Sequence, residues 1–150
     1  MKQVVKVVLC TAMLATISAP TVAEDAFKDE INARQGYYKL VKYNFGILGA
    51  MVKGKKDYDA GVAATAANNI YNLSKVNNSM LWPKGSDNSQ LDTTRAKPAI
   101  WENFDDVKEK HGNWQAAVEK LAQDAGNGKD ALKMSFGPVG KACHDDYKAK

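Results

Sequence analysis

An all-α fold, an antiparallel four-helix bundle, is what this 150-residue sequence predicts. Apolar residues recur at alternating spacings of four and three through most of the chain, the period of a helix with one buried stripe. No stretch alternates apolar and polar residues for a strand-like length. Clusters of Gly, Asn and Pro divide the pattern into four segments of helical length. Amphipathic helices without strands bury their stripes most simply against one another. No internal repeat or low-complexity tract argues for another architecture.

The first 23 residues stand apart from that pattern. Lys2 and Lys6 precede an apolar run from Val7 to Ile17, and Thr21-Val22-Ala23 then offers small residues where a signal peptidase reads them. The run is too short for a comfortable membrane span. Residues 1–23 are therefore expected to be a removed secretory signal, with an uncleaved amphipathic anchor as the alternative. Residues 24–150 then make one domain, large enough for a core and too small for two. Removing Lys2 and Lys6 from 21 basic residues leaves 19 against 17 acidic ones, a net charge of +2. The basic residues are dispersed among acids with no basic run interleaved with aromatics, so nothing supports nucleic acid binding.

The first helix carries Phe27, Ile31, Arg34, Tyr38, Val41, Phe45, Leu48 and Val52 along one seam, with a single charge, Arg34, inside it. Gly54 and Lys55-Lys56-Asp57 end it, with cations favoured near its C-terminus. The second helix starts at Asp57 or Asp59 as N-cap and turns Val62, Ala66, Ile70, Leu73 and Val76 inward, while the run Ala63 to Ala67 lets a neighbour come close. A long polar connection follows, with Trp82-Pro83, Gly85-Ser86-Asp87 and Lys97-Pro98. Such a length is expected either to serve function or to cross between non-adjacent helix ends. The third helix repeats the seam with Ile100, Phe104, Val107, His111, Trp114, Val118, Leu121 and Ala125, and Gly126-Asn127-Gly128 stops it. Asp130 is placed to cap a fourth, whose stripe is Leu132, Phe136, Val139, Cys143 and Tyr147.

Near the end the chain reads Gly140-Lys141-Ala142-Cys143-His144, a c-type haem attachment site with one cysteine missing. In the complete motif, Cys-x-x-Cys-His, two thiols add across the haem vinyl groups and the adjacent imidazole becomes the proximal iron ligand. Here Gly140 stands where the first thiol belongs. Cys10 leaves with the signal, so the mature chain holds one cysteine in an oxidising compartment, where a lone thiol must be buried, paired with another chain or covalently used. Pro138, inside the fourth helix, removes one donor and clashes with the preceding turn.

Each of these residues also has a plainer reading. Cys143 is then a small core residue, His144 a surface histidine and Tyr38 ordinary bundle core. Arg34 snorkels from the seam or pairs with Glu30. His111 is structural, Asp145-Asp146 is a solvated face, and Trp82, Trp101 and Trp114 are packing anchors. No nucleophile triad, phosphate loop or metal-spaced His/Cys cluster appears, which leaves an enzyme the least supported class.

Several stretches together form a family resemblance: Ala33-Arg34-Gln35, Met51-Val52-Lys53-Gly54 with Tyr58-Asp59, Ala96-Lys97-Pro98-Ala99-Ile100-Trp101, and Phe136-Gly137 through Val139-Gly140-Lys141-Ala142-Cys143-His144-Asp145-Asp146-Tyr147-Lys148. In this order, over nearly all of residues 24–150, the chain resembles cytochrome c′, the class II c-type cytochromes. The resemblance implies that His144 is the axial haem iron ligand and Cys143 the covalent attachment point. It implies that Arg34 meets a haem propionate, that Tyr38 lies over the open iron face, and that Lys148 is the basic residue one turn past the ligand. Tyr38 offers no soft sulfur there, and Met51, Met80 and Met134 remain as alternative sixth ligands. Family members commonly read Gly-Lys-x-Cys-Lys-x-Cys-His, so this chain looks as if it has lost a three-residue unit, which turns a helix by about 300°.

The expectation is a periplasmic haem protein without enzymatic activity, carrying haem c through a single thioether. It carries electrons to a small redox partner or binds NO or CO at a five-coordinate iron. Pairing through the first two helices into a homodimer goes with the resemblance. The alternative is a haem-free or non-covalently haem-binding helical module with a degenerate attachment motif.

Overall fold

The computed structural model describes residues 26–140 and 144–150, with the backbone alone for His144 and Asp145. The expected signal over 1–23 and the thiol of Cys143 lie outside the described residues. Helix α1 spans Lys28–Val52, α2 Ala60–Ser74, α3 Ala99–Glu102, α4 Phe104–Asp124, α5 Lys129–Val139 and α6 His144–Tyr147, with a 3-10 turn at Ser79–Leu81. α1 packs on α2 and α5, and α4 packs on the same two helices, closing a ring of four. Among the described residues the only β-type pairing is one isolated bridge, Ala96 with Lys148.

Local chemistry sets the ends of the long helices. Asp59 caps α2 by accepting from the Val62 amide at 2.8 Å, worth about 1 kcal/mol. α1 stops at Val52, and Gly54 takes the left-handed φ of 68° that turns the chain away. α5 begins after Gly128, so Asp130 lies in its first turn and is not the N-cap expected. The Tyr58 hydroxyl joins two turns by donating to the Ala125 carbonyl and accepting from the Gly128 amide, both at 2.9 Å.

The main core gathers Leu48, Met51, Ala63, Ala66, Ala67, Ile70, Val118, Leu121, Ala125, Leu132 and Val139, with Val41, Phe45, Val52, Trp114 and Phe136 packed against it. The alanine run allows the close approach expected of it: a Cβ built on Gly126 would stand 3.2 Å from Ala64 Cβ. The buried face of α2 differs from the expected stripe. Ala63 and Ala67 face inward where Val62 and Val76 were expected, and both valines are exposed. In α1 it is Tyr37 that is buried, its hydroxyl donating to the Leu73 carbonyl at 3.0 Å, and its neighbour Tyr38 stands 45 % exposed.

Two expected continuous helices are interrupted. The third breaks at Asn103, which leaves α-helical angles (φ −125°, ψ 47°) and separates α3 from α4. The fourth ends at Val139 instead of running on to Tyr147, because Gly137, Pro138 and Gly140 put the poorest helix formers into three of four consecutive positions.

Helix lengths create the functional end. α2 runs antiparallel to α1, with Tyr37 level with Leu73 and Asn44 level with Asn69. It also runs antiparallel to α4, where Gln115 donates to the Ser74 carbonyl at 2.6 Å. The long connection therefore joins neighbouring helices and is not a crossover. Both α1 and α4 outrun α2, α1 by nine residues, or about 14 Å. α5 ends beside Phe45, against which Gly140 lies. Beyond these ends, among the described residues, the first turns of α1 and α4 meet the connection 75–98, α3 and the tail 144–150.

Candidate functional site

Arg34 organises this end. Only 3 % exposed, its guanidinium donates from Nη1 to Ser86 Oγ at 2.6 Å and Leu81 O at 3.4 Å, and from Nη2 to Ser86 O at 2.5 Å and Thr94 Oγ1 at 2.7 Å. It also lies over the Trp82 ring, 4.7 Å from the centroid. No carboxylate among the described residues stands within ion-pair distance of it. Burial lowers its pKa, opposed by the fields of Tyr38 and Asp87. The charge in the α1 seam is thus a buried cation met by neutral oxygens. The pairing with Glu30 and the snorkelling alternative are both absent from the structure.

Aromatic rings carry the site from α1 to the tail. Tyr38 meets Tyr37 edge-on at 4.9 Å and Trp82 at 6.3 Å, and Trp82 meets Trp101 at 6.2 Å. The Trp101 indole N–H donates to the Trp82 carbonyl at 3.1 Å. Trp82 and Trp101 belong with Ala99 and Val107 around a second, smaller core of Ala96, Ile100 and Tyr147. His111 lies at the same end, half-buried against Trp114, and burial lowers its pKa.

The tail is held from its C-terminal side. Lys97 N donates to Tyr147 O at 3.1 Å and Ala149 N to Arg95 O at 2.8 Å, which flank the Ala96–Lys148 bridge. The Tyr147 hydroxyl donates to Asp106, whose carboxylate also pairs with Lys110 at 3.0 Å. Lys110 reaches Asp146 at 3.5 Å. The hydrogen bond from Tyr147, followed by that from Lys110, holds the Asp106 carboxyl below the usual range, and the same Asp106 contact pushes Tyr147 up to about 12.

Of the residues singled out in the sequence, Arg34 and Tyr38 share this end with the backbone of His144, and the exposed Lys148 sits in the bridge just after α6. Cys143 lies outside the described residues. Met51 is fully buried in the main core, 17 residues and so about 26 Å along α1 from Arg34, and Met80 and Met134 point to solvent. Sequence reading missed Ser86, Thr94 and Asp106. The two hydroxyls lie in an aperiodic loop, and the only signal for them was a buried arginine in need of acceptors.

The residues present fit the haem that the motif implies in charge and in apolar character. A buried guanidinium that makes no ion pair among the described residues suits a propionate, and Trp82, Trp101, Ile100 and Val107 supply an apolar wall beside α6. The four Nη hydrogens are already engaged, so an incoming carboxylate shares or displaces one of those bonds. Among the described residues no group of three or more His, Cys, Asp or Glu forms a separate metal site, and no helix is long and apolar enough to cross a membrane.

Comparison with known proteins bears on the same region. Residues 29–148 match the family described as Cytochrome C′. A cytochrome c′ of Cereibacter sphaeroides is 37 % identical over 146 residues, covering 95 % of this chain and 97 % of the relative. A solved cytochrome c′ from Rhodobacter spheriodes superposes with a TM-score of 0.80 at 37 % identity, over 83 % of this chain and 98 % of the other. A second, described by its ligand-controlled dimer dissociation, gives a TM-score of 0.74 at 29 % identity, over 83 % and 97 %.

Proposed function

The chain belongs to the cytochrome c′ family, and from that premise we propose that it is a periplasmic c-type haem protein that transfers electrons or binds a diatomic gas, without enzymatic turnover. The observation that carries this reading is the buried Arg34, which makes no ion pair among the described residues, at the same end of the bundle as α6, which begins with His144. The signal over 1–23 delivers the mature domain, 24–150, to the compartment where haem c is attached.

In this reading His144 would ligate the iron, and Cys143 would hold the group through a thioether, its S–H adding across one vinyl. Gly140 has no sulfur, so a single thioether forms. When bound, the haem supplies an iron that exchanges one electron or takes NO or CO. Arg34 compensates a propionate, Lys148 keeps a positive charge one turn past the ligand, and the Tyr38 ring stands over the open face and limits entry without coordinating strongly. Exposed Leu40, Tyr43 and Val62 on the outer face of α1 and α2 suit pairing with a second copy.

Protein purified from the periplasm of its own cell tests the reading. The expected result is a high-spin ferrous spectrum that responds to carbon monoxide, is lost in His144→Ala, and shows faster ligand entry in Tyr38→Ala. Acidified organic solvent should leave haem on the wild type and strip it from Cys143→Ala. Freely extracted haem would mean a non-covalent pocket, absence of haem the degenerate module, and a six-coordinate low-spin ferrous spectrum a second protein ligand.

A further inference from the structure

α6 is four residues long, too short to hold its own shape, so its orientation is imposed from outside. Of its described side chains Tyr147 is the buried one: its ring fills the small core with Ala96 and Ile100 and its hydroxyl reaches Asp106 in the first turn of α4. Asp106 is in turn fixed by Lys110, and Lys110 by Asp146. One backbone tie, from Lys97, ends on the Tyr147 carbonyl itself, and a second, from Ala149, follows two residues on. His144 stands three residues before Tyr147, one helical turn away on the same short helix.

We propose that Tyr147, clasped by Asp106, is a positioning residue: it sets the angle of α6 and through it the approach of His144 to the iron. This rests on the reading of His144 as axial ligand. A functional group has to be held within roughly 10–20° of its working direction, and a helix of a single turn depends on anchors outside itself for that. The clasp, together with the Lys110–Asp146 pair, joins α6 to α4, whereas the two backbone ties join the tail to a loop.

Two measurements on wild type, Tyr147→Phe, Asp106→Ala, Asp106→Asn and His144→Ala test the proposal. In the haem-free full chain, amide hydrogen exchange at Lys97 and Ala149 should speed up about tenfold in Tyr147→Phe and Asp106→Ala, the factor expected from one hydrogen bond of ordinary strength. Asn still accepts a hydrogen bond, so Asp106→Asn should exchange close to wild type. In the haem-loaded ferrous protein, the iron–imidazole stretching band should shift or broaden in Tyr147→Phe and Asp106→Ala and be restored in Asp106→Asn. Faster exchange with an unmoved band would make the clasp a local tie only and overturn the proposal, as would unchanged exchange. A wild type without that band, or a band that survives in His144→Ala, would instead overturn the ligand reading and the positioning role with it.

Discussion

Replacing Arg34 by Met tests what the buried cation does. Three of its hydrogen bonds lie between 2.5 and 2.7 Å, and they join α1 to positions 52 and 60 residues further on. Met keeps the apolar stem and removes every donor. Thr94 Oγ1 retains the Ala96 amide at 3.2 Å, but the Ser86 carbonyl and hydroxyl lose their partner in a fully buried position. Two orphaned groups cost about 2–6 kcal/mol, and the lost stacking on Trp82 adds to that. Relief from burying a charge offsets part of it. A net loss of about 2–4 kcal/mol is expected, read by urea unfolding of the haem-free protein. Arg34→Lys should fall between, since an ammonium keeps the charge and loses the planar fork. If Arg34→Met unfolds within about 0.5 kcal/mol of wild type, the loop is held by something else and the reasoning fails. A propionate partner adds a second signature: the haem-loaded protein should then lose more stability than the haem-free one.

Four further outcomes follow from the same structure. Gly140→Cys rebuilds Cys-x-x-Cys-His; its backbone is ordinary (φ −80°) and a new Cβ meets Phe45 at 3.7 Å, so the variant should fold and its pyridine haemochrome band should move to shorter wavelength as a second vinyl is saturated. NMR titration should place His111 below the usual imidazole range, and because burial disfavours its charged form, its contribution to stability is full above about pH 6.5 and is lost as pH falls toward the lower folded value. Tyr147 works the other way: its contribution is full below about pH 10 and declines as pH rises toward its folded value of about 12, read as alkaline loss of the α6 ties by amide exchange. Leu48→Ala, at a fully buried site in the main core, should cost about 3–5 kcal/mol in urea unfolding.

Periodicity carried the four-helix architecture and the Asp59 cap, because both are local: the seam repeats within one helix and the cap within one turn. It erred where neighbours decide. A hydropathy stripe favours Val62 over Ala63, but the face of α2 that its neighbours cover is the one carrying Ala63, Ala66, Ala67 and Ile70. Tyr37 and Tyr38 are indistinguishable in pattern, and only the end of α2 at Leu73 gives Tyr37 its acceptor. The break at Asn103 has no signal in spacing. At the site, the odd charge of Arg34 was legible as something buried that needed a reason. Its oxygens on Ser86 and Thr94 were not, since they are 52 and 60 residues away in a segment without period.

Burial in this molecule is divided unequally between two cores, and so is its resistance to opening. The larger joins all four long helices, whereas the smaller consists of Ala96, Ile100 and Tyr147 with a rim of half-buried rings. Local opening follows the sparser set of contacts. The loop end and tail should therefore part as one cooperative unit at a free energy well below global unfolding, with the bundle intact. A bundle built this way can admit a large planar group after it has folded, with the thioether made only once the group is seated.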